Sequence, residues 1–212
     1  LAVESSSVQD SPAGRVLFDN TAVFSYYNRM RSFAQCVLGL FVLGSCPSLQ
    51  ISQAAEAPAT FKAGEFTFQR PADWKWVSTS SPMRKAQLEV QGADKKETAD
   101  VIFYYFGEGN GGGTQANVQR WLGQFREPKD QLQSKVEEVT VNSRKVTYVE
   151  AQGTYMSGMP GGPTTPQPNS MLLGAILESP QGNVFIRLTG PVSLAKASKQ
   201  PFRKLVESGL AR

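Results

Sequence analysis

Apolar and polar residues alternate with period two over several short stretches of the chain, the spacing that turns one face of a strand inward. Glu65–Gln69 reads polar, Phe66, polar, Phe68, polar, and stops at Arg70-Pro71, where proline offers no N–H to a ladder. Arg84–Val90 alternates again. Asp100–Phe106 is a continuous run of β-branched and aromatic side chains, which predicts a strand covered on both faces. Ser134–Val141 and Lys145–Thr154 predict two more strands joined as a hairpin at Asn142-Ser143. Met171–Ser179 and Val184–Thr189 predict a last pair around Pro180–Asn183.

The period changes to 3.6 after the connector Gly107–Gly113. Val118, Trp121, Leu122 and Phe125 stand at i, i+3, i+4 and i+7, one apolar face of a helix. Thr114 is the candidate N-cap of that helix, and Pro128 its latest stop. A second helix is expected over Ser193–Ser208, with Leu194, Phe202, Leu205 and Val206 inward and Ser193 as its cap. Met156–Ser170 holds three Gly and four Pro and reads as a mobile loop. The expected order is β-β-β-α-β-β-β-β-α. Short turns between consecutive strands make the sheet antiparallel with helices packed on it, an α+β class.

The first third of the chain has a different texture. Arg29 and Arg31 precede Cys36–Gly44, an apolar stretch too short to span a bilayer, and small residues lead to Ala55-Glu-Ala57. That is the plan of a secretory signal over residues 30–57, with Met30 as its start. Two exits compete. Leu43-Gly44-Ser45-Cys46 resembles a bacterial lipobox, which would acylate Cys46 and tether the product; cleavage near Ala57 would release it. Cleavage is favoured, since it gives the run of small residues a purpose. Residues 1–29 fit no part of this plan and read as a mis-set start or a disordered extension. The folded domain is then 58–212, long enough to bury a core unaided. The expected address is periplasmic or cell-envelope, lipid-anchored if Cys46 is used.

Composition narrows the chemistry. Histidine is absent, which removes Ser-His-Asp and Cys-His pairs and imidazole metal ligands. The two cysteines, Cys36 and Cys46, both lie in the signal, so no thiol zinc site is expected, nor any metal or cofactor. From Pro58 on, 19 Lys and Arg face 14 Asp and Glu, dispersed in pairs such as Arg84-Lys85 and Arg203-Lys204. Such an excess suits an anionic partner or a solvated face equally. Nucleic acid is not expected at an exported address without a basic-aromatic motif.

Few motifs carry chemistry. Gly107-x-Gly109-x-x-Gly112 matches a dinucleotide fingerprint in letters, but the antiparallel order around it favours a flexible loop, with weak anion binding at the helix start the remaining functional option. Trp74 and Trp76 stand on one side of an extended segment, able to anchor a partner or to cover the core. Asn117, Arg120 and Gln124 share a helix flank beside Trp121, either as a polar recognition strip or as partners of a neighbouring strand. Ser193-Leu-Ala-Lys196 has hydrolase spacing without companion motifs. The carboxylates Asp73, Asp100, Glu108, Glu137, Glu138 and Glu150 form no pair that sequence can place across a cleft.

Phe66-x-Phe68-x-x-Pro71-x-x-Trp74, the Trp-bearing helix and Phe185-x-x-Leu188-x-Gly190-Pro191 before a final helix resemble the Mog1/PsbP-like group. Tyr105-Phe-Gly107, Asn117-x-x-Arg120-Trp121-x-x-Gln124-Phe125 and Gly153-Thr-Tyr155 resemble an uncharacterised family of exported bacterial proteins. The resemblance spans most of 61–208 and implies an α/β/α sandwich with docking or stabilising roles in protein assemblies. Relatives bind unrelated partners, so the fold assigns no particular one. The expectation is a non-enzymatic domain that docks on an envelope protein or a membrane surface. The alternatives are a carboxylate-dependent hydrolase of envelope polymers and a small-ligand carrier.

Overall fold

The computed structural model describes residues 57–158 and 162–211. The segments read as signal, lipobox and N-terminal extension lie outside the described residues, apart from Ala57. Among the described residues, no helix is long and apolar enough to cross a membrane.

Strands β1 (Thr60–Ala63) and β2 (Phe66–Gln69) form a hairpin of their own, with Phe61 opposite Phe68. The main sheet has seven strands: β3 (Lys75–Trp76), β4 (Arg84–Gln91), β5 (Thr98–Tyr105), β6 (Gln133–Val141), β7 (Arg144–Gly158), β8 (Thr164–Leu177) and β9 (Val184–Pro191). Their spatial order is β3-β4-β5-β9-β8-β7-β6, and every pair is antiparallel. Helix α1 (Thr114–Leu122) lies on one face; α2 (Val192–Ala197) and α3 (Lys199–Ser208) share the other with the β1–β2 hairpin. The result is the α/β/α sandwich of the expected α+β class.

Alternation in the strands explains the two cores. Ala86, Leu88 and Val90 of β4, Val101 and Phe103 of β5, and Val184, Ile186 and Leu188 of β9 point to the α2–α3 side, where Phe61, Phe68, Phe202 and Leu205 meet them. Rings close this core: the Phe61 and Phe103 centroids are 4.8 Å apart at 84°, edge to face. On the opposite side Val118, Trp121 and Leu122 of α1 press on Leu172, Ile176 and Phe185. Gly174 of β8 lies under Trp121; a Cβ there would overlap the indole ring. The 142–143 turn follows expectation, with Asn142 at φ 48° and Ser143 at φ 64°, the left-handed pair of a type I′ hairpin.

Several expectations need correction. The supposed loop Met156–Ser170 is largely a β-arm: β7 and β8 run on past the sheet, with Met156 opposite Pro166 and Gly158 opposite Thr164. Pro166 and Pro168 are tolerated because β9 stops pairing at Pro191, leaving the outer edge of β8 with no ladder partner there. The last helix is two helices. Pro201 has no N–H to give Ala197 and its ring would crowd that carbonyl, so the first helix closes at Ser198, whose N–H donates to the Leu194 and Ala195 carbonyls. Pro201 then falls in the first turn of α3, where no donor is required. Neither expected cap is one: Gly113 precedes α1 without a side-chain cap, and Ser193 sits inside α2 with its hydroxyl on Glu97 at 2.9 Å. Strand β5 is covered on both sides only in part, for Asp100 is exposed while Val101, Ile102 and Phe103 are buried. Strands β1 and β3 were not legible in the pattern, being four and two residues long.

Candidate functional site: a cleft between the open sheet face and the β-arm

Helix α1 is only nine residues long; the buried side chains of its cluster come from β7, β8 and β9, with Tyr104 of β5 packed against them at the margin. Across β5, β4 and β3 the same face continues without a helix. Register identifies what it carries. Gln87 of β4, Ile102 of β5, Arg187 of β9 and Gly174 of β8 form one row across the sheet, and Glu89, Asp100 and Thr189 form the next. The β7–β8 arm rises along one side of this half-open face. Between arm and sheet lies a cleft of about 370 Å³, with Ile102 and Arg187 on its floor, Arg84 and Asp100 on one wall, and Tyr155 and Ser157 on the other.

The arm is positioned by the chain that follows α1. Phe125 bridges to Tyr155, Met156 N–H donates to the Gln124 carbonyl at 2.7 Å, and Arg126 N–H to the Thr154 carbonyl at 2.9 Å. Strand β7 shifts register between Gly153 and Tyr155, and the Thr154 N–H freed there is taken by both Glu127 carboxylate oxygens at 2.9 Å. Glu127 comes so close to Gly153 that a Cβ would meet its Oε2 at 2.5 Å. These backbone donors, its own N–H first and Thr154 second, hold the Glu127 carboxyl below its ordinary value. The Gly153-Thr-Tyr155 motif is thus a bulge that aims Tyr155 into the cleft.

Within the cleft, Arg187 Nη1 donates to Gln124 Oε1 at 2.8 Å, and the Tyr155 hydroxyl reaches the same oxygen at 3.3 Å. Arg187 Nε is enclosed and has no acceptor. Burial pushes the Tyr155 hydroxyl up, against the opposing pull of the Arg187 charge. On the other wall Arg84 Nη1 donates to Gln87 Oε1 at 3.0 Å, and Gln87 Nε2 to Asp100 Oδ1 at 3.3 Å. Neither arginine forms an ion pair among the described residues; the seven pairs there involve Arg144, Arg203 and lysines. Asp100 is the carboxylate on the cleft wall, while its cross-strand neighbour Glu89 is engaged by Lys75 at 3.5 Å and Gln91 at 3.0 Å.

The residues singled out by sequence are dispersed. Trp74 is buried in the α2–α3 core and Trp76 half-buried against Phe61 at 5.4 Å, both on the face away from the cleft. Asn117 is buried beneath the glycine loop, where its Nδ2 donates to the Gly111 and Gly113 carbonyls at 2.9 and 3.0 Å. Arg120 is exposed and donates to Asn117 Oδ1 at 2.9 Å, on its own helix rather than to a strand. Only Gln124 reaches the cleft. Arg187, Arg84 and Tyr155 carry no spacing signature, although a lone charge in the apolar run Val184–Leu188 was a legible cue.

The other motifs resolve structurally. The glycine loop has a defined path, with Gly107, Gly109, Gly111 and Gly112 at positive φ and Asn117 stitched beneath it. At the start of α1 the Thr114 hydroxyl donates to Glu178 Oε1 at 2.7 Å, so the chain's own carboxylate stands where an anion would bind. The hydroxyl of Ser193 turns to Glu97, not to Lys196. Glu137, Glu138 and Glu150 are each paired with a cation, and no group of three potential metal ligands occurs among the described residues.

No protein-family profile and no curated protein matches the chain. Solved structures do. The solution structure of cyanobacterial PsbP (CyanoP) from Synechocystis sp. PCC 6803 is similar over 78% of this chain and 96% of its own, at 13% identity and a TM-score of 0.43. The crystal structure of PA94, a protein of unknown function from Pseudomonas aeruginosa, is similar over 72% of this chain and 96% of its own, at 13% identity and a TM-score of 0.36. The α+β class rests on the sheet itself.

Proposed function

We propose that this chain is an exported, non-enzymatic domain that docks on a protein of the cell envelope through the open half of its sheet and the β7–β8 arm. The observation that carries this reading is the uneven cover of the sandwich: two helices and the β1–β2 hairpin pack on one face, whereas the nine-residue α1 leaves β4 and β3 on the other without a helix and the β7–β8 arm stands beside them. A sheet face left without a helix beside a projecting hairpin offers a shaped, largely polar surface of the sort that non-obligate partners use. Hydrolysis by paired carboxylates would need a second acid in the cleft, and Asp100 is the one carboxylate among its lining residues.

Affinity capture from envelope extract tests this with the full chain and Ser157→Trp, which fills the cleft from the exposed arm wall without touching either core. The partner should be retained by the parent chain and lost from the variant. Retention of the same partner by both would remove the cleft from the docking surface.

A further inference from the structure

We propose that the cleft recognises a carboxylate on an acidic segment of the docked protein, with Arg187 as anchor and Arg84 as second cation; this rests on the docking reading above. Three observations converge. Arg187 sits on the floor of the cleft, half-buried in a central strand with no ion-pair partner among the described residues. Its protein partner is the neutral amide oxygen of Gln124, and its Nε is enclosed without any acceptor. The fold therefore holds a guanidinium in place; its enclosed Nε is out of a ligand's reach, and Nη2, which has no protein acceptor among the described residues, is the donor left for a carboxylate.

The surroundings favour that occupant. Gln124 fixes the guanidinium from one side and takes the Tyr155 hydroxyl from the other, so the arm and the arginine are held by one side chain. Arg84 on the facing wall is likewise tied to a glutamine, not a carboxylate. Asp100 is the one acid on the wall, and Gln87 already donates to it. The two arginines leave the cleft with a positive excess. Ile102 beside Arg187 offers an apolar floor for the methylenes of an acidic side chain.

The test uses the full chain and an eight-residue oligoglutamate peptide, titrated calorimetrically at low salt, with oligoglutamine and inorganic phosphate as the other probes. Oligoglutamate should bind, Arg187→Gln should weaken it at least tenfold, and Lys62→Gln, on the exposed side of the β1–β2 hairpin, should leave it unchanged. Arg187→Lys keeps the charge without the fork and should give an intermediate loss, which preserves the test if the glutamine variant does not fold. Equal affinity in Arg187→Gln, equal binding of oligoglutamine, or binding of phosphate alone would each overturn the proposal. Envelope capture separates its failure from that of the docking reading. Loss of the partner on Ser157→Trp but not on Arg187→Gln overturns only the carboxylate; retention by both variants overturns the docking surface as well.

Discussion

Single side chains show where this fold is imperfectly satisfied. Tyr148 is buried under the Arg203 guanidinium, 4.3 Å from its ring centroid, and its hydroxyl has no partner. Burial, with Glu207 adding to it, pushes that hydroxyl up to about 12 from an ordinary 10.0. A raised pKa means that the unfolded chain releases the proton first, so stability is full below about pH 10 and falls as pH rises toward 12. Tyr148→Phe should flatten that alkaline loss in denaturant titrations at several pH values, and should cost little at neutral pH. Thr147 has an equally orphaned hydroxyl, and Thr147→Val should stabilise by about 1 kcal/mol on the same assay. Gly174→Ala should do the opposite, by about 1–3 kcal/mol, since the new methyl must displace Trp121.

At the scale of elements, the arm is the feature that the pattern concealed. Its sequence is rich in glycine and proline, and those residues predict a loop because local propensity cannot register a ladder closed by a distant strand. Gly153 and Glu127 illustrate the difficulty: one is a gap and the other its occupant, 26 positions apart, and neither has meaning alone. Phe125 likewise reads as the last apolar residue of a helix, yet it is buried through a bridge to Tyr155 after the helix has ended. What periodicity does reveal is the set of long regular strands and the Val118–Trp121–Leu122 stripe, where burial on one face suffices to impose the pattern. Glu127→Ala should loosen the arm at its base, seen as faster hydrogen exchange of the Thr154 amide with little change in β4 or β5. The Glu127 carboxyl is held low in the folded chain, so its contribution is present above the ordinary carboxylate value of 4.5 and disappears as pH falls below it. The protection of the Thr154 amide relative to its intrinsic exchange rate should therefore fall in acid in the parent chain and lose that dependence in the variant.

For the whole molecule, the α+β class was legible in the sequence, whereas the cleft was not. Its residues come from β4, β5, the chain after α1, the arm and β9, and only the seven-strand order brings them together. The tryptophans drew notice because aromatic residues are conspicuous, yet both serve the core; the arginine on the cleft floor is one charge in a strand of apolar neighbours. Docking through the half-open face is the central claim, and in-cell photo-crosslinking tests it most directly. A benzophenone amino acid placed at Thr98, exposed at the mouth of the cleft, is compared with the same group at Lys62 on the opposite side. The account expects a discrete protein adduct from position 98 and none from position 62. An adduct from position 62 alone would place the partner on the roofed face and contradict it.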